Sequence, residues 1–257
     1  MSIPTSLARY SYPPLRLGEI RVLKLFSVNE ASLAFNTPSN QTPPLYGQLT
    51  HLRFDENPIY DALSYTWGDP KPTDKLLLRK DDLSSEQLGI AANLTKALQT
   101  LRIQDRSLFM WIDAICINQD DLDERSREVQ HMHHIYSKAA IVRIWIDVEN
   151  QPDDETARRL SLLSPHHDTP IKEADTGTRP KVQENSNEHS GDEDIGDRPE
   201  VWRSLSGLCK NSYWKRVWIQ QEICYAADIF IHCSSASIAG EDFTEFLRQV
   251  MKKAENS

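Results

Sequence analysis

The chain has 257 residues, 39% of them hydrophobic, and a formal net charge of −9. That length suits one α/β domain with extensions. The acidic balance excludes a primary nucleic-acid binder, which needs basic excess to neutralise phosphates, and a protein held electrostatically on an anionic membrane.

The opening MSIPTSLARYSYPPLRLGE sets prolines and charges where a secretory signal needs an apolar core. No stretch approaches the roughly 18 uninterrupted apolar residues of a membrane-spanning helix. EIRVLKLFS and QLTHLRF, joined by the turn-prone NTPSNQTPP, predict a β-hairpin at the edge of the fold. DALSY reads as a strand stopping in the loop Trp67-Gly68-Asp69-Pro70. In IAANLTKALQTLR, Ile90, Leu94, Ala97, Leu98 and Leu101 recur at helical spacing.

LFMWIDAICI, apolar except for Asp113, suits a strand buried on both faces. Asp120 or Asp121 can cap a long helix to Ala139, with Leu122, Val129, Met132 and Tyr136 as its apolar stripe. IVRIWI is the next buried strand. From Asp168 to Glu200, ten acidic and four basic residues contribute −6 of the −9, and the apolar side chains are Ile171, Ala174, Val182 and Ile195. Such a composition cannot offset ordering entropy, so this stretch is expected to be a disordered loop, dispensable for folding.

Beyond the loop, Pro199 opens a helix with Trp202, Leu205 and Leu208 on its apolar face, and Ser212 caps another running through Trp214, Trp218 and Tyr225. DIFIHC is a strand and EDFTEFLRQVMKKA a closing amphipathic helix. The alternation of strands and helices predicts one domain, residues 15–250, built on a parallel, doubly wound sheet.

The cysteines Cys116, Cys209, Cys224 and Cys233 form no C-x-x-C pair, and three lie in apolar runs. Buried free thiols in a reducing, cytoplasmic compartment are expected. His131 and His134 are one helical turn apart but lack a third ligand of suitable spacing, so no metal site is expected. Cys116, in a buried run, makes an inert thiol. Glycine-rich phosphate loops, H-E-x-x-H and G-x-S-x-G are all missing from the sequence.

What the chain does carry is three dense runs of interleaved aromatic and polar residues: YDALSYTWGDP, WIDAICINQDDLDERSREVQHMHHIYSKA and YWKRVWIQQE. In order and spacing they resemble the three signature blocks of the fungal heterokaryon incompatibility (HET) domain, and the resemblance spans roughly residues 18–226. Two departures stand out. Trp145 is followed by Ile146 and Asp147 where the family usually has Leu-Gly, and the acidic loop is long.

The resemblance implies an effector of non-self recognition and programmed cell death. HET domains are in turn distantly similar to TIR domains, which are flavodoxin-like and in some branches cleave NAD. The implied fold is therefore a flavodoxin-like (TIR-like) sheet flanked by helices, and NAD or a related nucleotide is a candidate substrate, with no resident cofactor. TIR enzymes carry a glutamate shortly after a tryptophan on a helix, and the matching text is Trp218-Ile219-Gln220-Gln221-Glu222.

Chemically, one carboxylate beside aromatic rings can stabilise the oxocarbenium-like ribose formed as nicotinamide leaves. The crevice would lie beyond the C-terminal strand ends. Ser64, Tyr65, Trp67 and Gly68 mark one such end, and Asn118 and Gln119 another; Trp67 is the tryptophan expected to face a ligand, while Trp111, Trp145, Trp214 and Trp218 fit the core. Glu222 is either catalytic or a buried acid paired with Arg143 or Arg216. Asp113 is either a pocket residue or an anchor for Arg125 or a backbone amide. The other function class is a non-catalytic module that signals by self-association or by binding an upstream recognition protein. Geometry discriminates: Glu222 open to a cleft beside Tyr65 or Trp67 favours chemistry, and Glu222 sealed against an arginine favours the module.

Overall fold

The computed structural model describes residues 7–81, 84–147, 208–233 and 236–255. The acidic segment 168–200 and the helix expected from Pro199 through Leu205 lie outside the described residues. Strand β1 (Glu19–Leu25) pairs antiparallel with β2 (Tyr46–Arg53) from Glu19↔Arg53 to Leu25↔Gly47, as the hairpin reading expects. The link between them is not a bare turn. It contains helix α1 (Val28–Phe35), started by a capping box in which Ser27 and Glu30 satisfy each other's amides and ended by Asn36 at φ 49°.

Strand β3 (Asp61–Tyr65) is buried along its whole length. It is followed by a hairpin, β4 (Pro72–Arg79) and β5 (Ser85–Ala91), and by α2 (Ala92–Leu101). β6 covers only Leu108–Trp111; the apolar run breaks at Ile112 into a single helical turn, α3 (Asp113–Cys116), so Asp113 stands past a strand end rather than inside a strand. α4 (Leu122–Lys138) is capped by Asp121, whose carboxylate accepts from the amides of Asp123 and Glu124. β7 (Val142–Trp145) has all four residues buried. The helix expected from Ser212 to Tyr225 is two pieces: a 3₁₀ turn (Ser212–Lys215) capped by Asn211, and a short α5 (Ile219–Ile223). β8 (Ile229–Cys233), β9 (Ala236–Ala239) and α6 (Gly240–Glu255) follow.

The nine strands among the described residues form one sheet in the order β5-β4-β2-β1-β6-β3-β7-β8-β9. The fold is α/β, but the sheet is mixed rather than wholly parallel. β6, β3, β7 and β8 are parallel to one another, and antiparallel pairings flank them on both sides. For β5 and β9 the cause is local, since each follows its antiparallel partner after a short connection that reverses the chain, whereas parallel strands need a crossover. Numbered among themselves, β3, β6, β7 and β8 run 2-1-3-4. The strand order therefore reverses beside β3, where Tyr65 pairs with Trp145. Crevices in open α/β sheets lie beyond the carboxyl ends of strands at such a point.

Side-chain alternation splits the core across the sheet. Ala62, Trp111, Val142 and Ile144 pack with Met132, Ile135 and Tyr136 of α4 on one face. Leu63, Tyr65, Met110 and Trp145 pack with Leu94, Ala97 and Leu98 of α2 on the other. The expected stripe of α4 is corrected at its start: Leu122 is 62% exposed, and Glu124 and Glu128 are turned inward instead. Glu124 is buried because Arg21 of β1 reaches it with two bonds of 2.5 and 3.0 Å, while the Asn118 amide donates to it at 2.7 Å. A buried charge so paired is tolerable. On the far side of the chain's long connection, the Asn211 side-chain amide donates to the Asp147 carbonyl at 2.8 Å, drawing the start of the last block against the end of β7. Among the described residues no helix is long and apolar enough to cross a membrane. Cys116 and Cys233 are buried free thiols, whereas Cys209 and Cys224 are exposed, contrary to expectation.

Candidate functional site

At the carboxyl end of β3, Ser64 is 1% exposed and donates its hydroxyl to the Glu222 carboxylate. Glu222, on α5, is fully buried. Arg216, just before that helix, grips it with both ends of its guanidinium, Nη1 to Oε2 at 3.0 Å and Nη2 to Oε1 at 2.9 Å. This two-point geometry is the strong form of an arginine–carboxylate pair. Nη1 also reaches Ser64 Oγ at 3.3 Å, and the Tyr213 hydroxyl lies 2.5 Å from the same oxygen. The guanidinium stands over the Tyr213 ring, 5.4 Å from its centre. Sequence reading offered Arg143 or Arg216 as partner; Arg143 is occupied elsewhere, donating to Asp61 at 2.7 Å.

The electrostatics follow from this packing. Burial works against the Arg216 charge, but Glu222 more than offsets it, and the guanidinium is held above its ordinary range. Burial raises the Tyr213 hydroxyl, a rise that its bond with Ser64 partly opposes. Tyr136, behind β3, is raised by burial and by the nearby Glu222 charge, and it donates to the Leu63 carbonyl at 3.0 Å.

Beside this cluster, Asp113 opens α3 and is half-buried. It accepts from the Ala114 amide at 2.7 Å and from the Trp67 indole at 3.0 Å, so its partners are an amide and a ring, not Arg125. The Gln119 side chain donates to the Asp113 carbonyl at 2.9 Å and fixes the turn. Burial pushes the Asp113 carboxyl up to about 6, against the pull of the Ala114 and Trp67 bonds; the Glu222 charge adds to the rise and Arg216 opposes it. The folded protein thus holds this proton more tightly than an unfolded chain, whose value is 3.8. Its contribution to stability is complete below about pH 4 and lost as pH rises through about 6. Urea titrations across that window should show the stability of Asp113→Asn gaining on the parent as pH rises; parallel curves would refute the assignment.

The structure gathers Ser64 with Glu222, and Trp67 and Gln119 with Asp113. Tyr65 is buried at 2% exposure in the core beside them, with burial raising its hydroxyl. Gly68, at φ +66°, lets the chain turn close under Asn93, whose amide a Cβ there would meet at 2.8 Å. Asn118 belongs instead to the Arg21–Glu124 anchor. Trp218 is corrected from core to surface: it caps α5 and is 46% exposed, so the side chains of Trp218 and Glu222 diverge even though the Glu222 amide bonds the Trp218 carbonyl at 3.2 Å. Trp67 is partly buried with its indole N–H bonded to Asp113, so it helps to build the turn.

Sequence reading did not single out Tyr213 and placed Tyr136 only on the apolar stripe of α4. The aromatic density of YWKRVW and the IY pair were the available signals. Burial pushes Cys116 up to about 12, which fits an inert thiol. His131, His133 and His134 are exposed, and among the described residues no group of three His, Cys, Asp or Glu could hold a metal ion.

A family model described as heterokaryon incompatibility protein (HET) matches residues 60–222, a span that begins one residue before β3 and ends on the buried carboxylate. The chain is 27% identical over 242 residues to Heterokaryon incompatibility protein 6, OR allele, of Neurospora crassa. That alignment covers 85% of this chain and 35% of the relative, so the chain spans about a third of its length. No solved structure matches.

Proposed function

The chain belongs to the heterokaryon incompatibility (HET) family, and from that premise we propose that it acts in the cytoplasm of a fungus, in non-self recognition, as the domain that turns recognition into programmed cell death. The mechanism that the geometry favours is assembly. The observation that carries it is the sealed pair: a carboxylate at 0% exposure, bound at both oxygens by Arg216, has no face for a substrate. It works as a clasp that fastens α5 to β3. The residues around the clasp are outward and apolar, with Val217 at 83%, Trp218 at 46% and Tyr225 at 60% exposure, a surface suited to a second copy or to an upstream recognition protein. Sedimentation of the purified chain tests this. The parent should associate, and Val217→Ser with Trp218→Ser should yield a stable monomer that no longer kills cells. A monomeric variant that still kills would end the assembly reading.

A second reading, TIR-like NAD cleavage, has its own support. The cluster stands at the strand-order reversal, and the Arg216 side chain, 19% exposed, lies toward solvent from the carboxylate. In that reading the substrate's phosphates draw Arg216 away, the uncovered Glu222 stabilises the ribose cation, and water replaces nicotinamide on the ribose. Incubating concentrated protein with NAD and measuring free nicotinamide decides between the two.

A further inference from the structure

Ahead of β1, residues 7–13 form an arm that lies across the body of the molecule. β5 is the outermost strand on its side of the sheet, and the arm seats on its outer edge. The Ala8 carbonyl accepts from the Gln87 amide at 2.9 Å, the Tyr10 amide donates to the Gln87 carbonyl at 2.8 Å, and the Gln87 side chain donates to the Leu7 carbonyl at 2.8 Å. Farther along, the Tyr12 hydroxyl donates to the Ile115 carbonyl of α3 at 2.9 Å, and Arg21 donates to the Pro13 carbonyl at 2.5 Å. Tyr10 and Tyr12 meet edge-on, 4.9 Å apart, and pack on the α2 side of the core. An edge strand left bare is a template for pairing with another chain, and this one is covered by an extended segment of its own.

Two features make that cover exchangeable. Its ladder pairing is the isolated bridge Arg9↔Gln87, supported at the surface by the exposed Arg9–Asp120 pair, so little backbone pairing holds it. Its link to β1 is a reversal in solvent. The Glu19 amide bonds the Arg16 carbonyl at 3.1 Å around Leu17 and Gly18; Gly18 stands at φ +79°, and Leu17 is 92% exposed. Just before this turn, Pro13 and Pro14 keep the chain extended, so an arm that leaves its seat projects outward instead of folding on itself. A second copy carries the same segment, and exchange remakes each contact that opening breaks. The balance between closed and exchanged forms is then set by the turn and by the local concentration of copies.

We propose that two copies of this chain exchange these arms, each arm seating on the β5 edge and the α3 turn of the other. Resting on the assembly reading, this exchange follows the meeting of copies at the Val217–Trp218 surface and fastens it. Each copy then supplies Tyr12 to the turn that carries Asp113 in the other.

Disulfide trapping tests this. The bridge sets Arg9 beside Gln87 at strand spacing, about 4.8 Å, inside the ~4.4–6.8 Å between Cα atoms that a disulfide spans. In a background with the exposed Cys209 and Cys224 changed to Ser, one chain carries Arg9→Cys and a second, tagged chain carries Gln87→Cys. Mixed at high concentration and oxidised, they should yield a covalent dimer of the two different chains, at least tenfold above the dimer from either chain alone. Both changes in one chain, oxidised at high dilution, should give a monomer with its arm locked in place. On dilution its assemblies should fall apart at least tenfold more readily than those of the reduced protein. Exchange is overturned if the parent sediments as an assembly while the mixed chains give no covalent dimer, which leaves the assembly reading standing. A parent that is monomeric at every concentration overturns both. Failure of the one-chain variant to form its internal disulfide overturns the seat on which exchange depends.

Discussion

Trp111→Ala is expected to destabilise the protein by about 3–5 kcal/mol, the usual cost of emptying a large aromatic site in a core. Trp111 is 1% exposed and heads the largest fully buried side chains. It closes β6, on the strand that pairs β3 with Asp61↔Met110 and Ala62↔Trp111. Its ring meets Tyr136 of α4 edge-on, with centroids 5.6 Å apart at 77°. Removing it therefore loosens the contact that holds α4 on the parallel strands as well as the cavity wall. Chemical denaturation of the purified variant checks this. A loss below about 1 kcal/mol would mean that the site collapses around the missing ring.

Glu222→Gln is expected to cost about 3 kcal/mol, the lower end of what is lost when one partner of a buried ion pair is removed, because Arg216 keeps some contact with water. The amide preserves shape and can accept from Ser64, but it sets an N–H against the guanidinium. Adding Arg216→Met to the same chain should restore part of the loss, since the second change removes the stranded charge. Under the assembly reading, whatever Glu222→Gln protein stays folded remains toxic. Under the cleavage reading, folding survives while nicotinamide release and toxicity disappear together. Denaturation and the NAD assay on one preparation separate the two.

Where local chemistry determines an element, the sequence announces it. The DALSY, IVRIWI and DIFIHC strands stand where their apolar runs lie, and Asp121 caps α4 as its position before the run implies. The capping box Ser27-x-x-Glu30 was also present in the text and marks α1, which a turn-rich neighbourhood obscured. β4 hid because its first half is exposed and polar, so neither alternation nor a continuous apolar run signals it. The break after Trp111 is invisible to periodicity, since Ile112, Ile115 and Cys116 are apolar whether they continue a strand or turn into α3.

The site shows the same division. Ser64 and Glu222 were legible as members of two dense motifs, but their meeting across 158 positions is a property of topology. The inward turn of Glu124 depends on Arg21, 103 residues away. No window over the helix could foresee a buried acid in place of Leu122.

The Asn211–Asp147 clasp has a consequence for how this chain can change over time. It sets the two ends of a long stretch of sequence side by side at the margin of the sheet. Once ends are pinned, each doubling of the intervening length costs only about 0.6 kcal/mol of closure entropy. The pairing of β3, β7 and β8 and the Ser64–Glu222 meeting are made by residues outside that stretch. A change of length there falls between the two clasped ends and outside those pairings. Length between the two clasped ends is thus a quantity to which closure entropy is nearly indifferent.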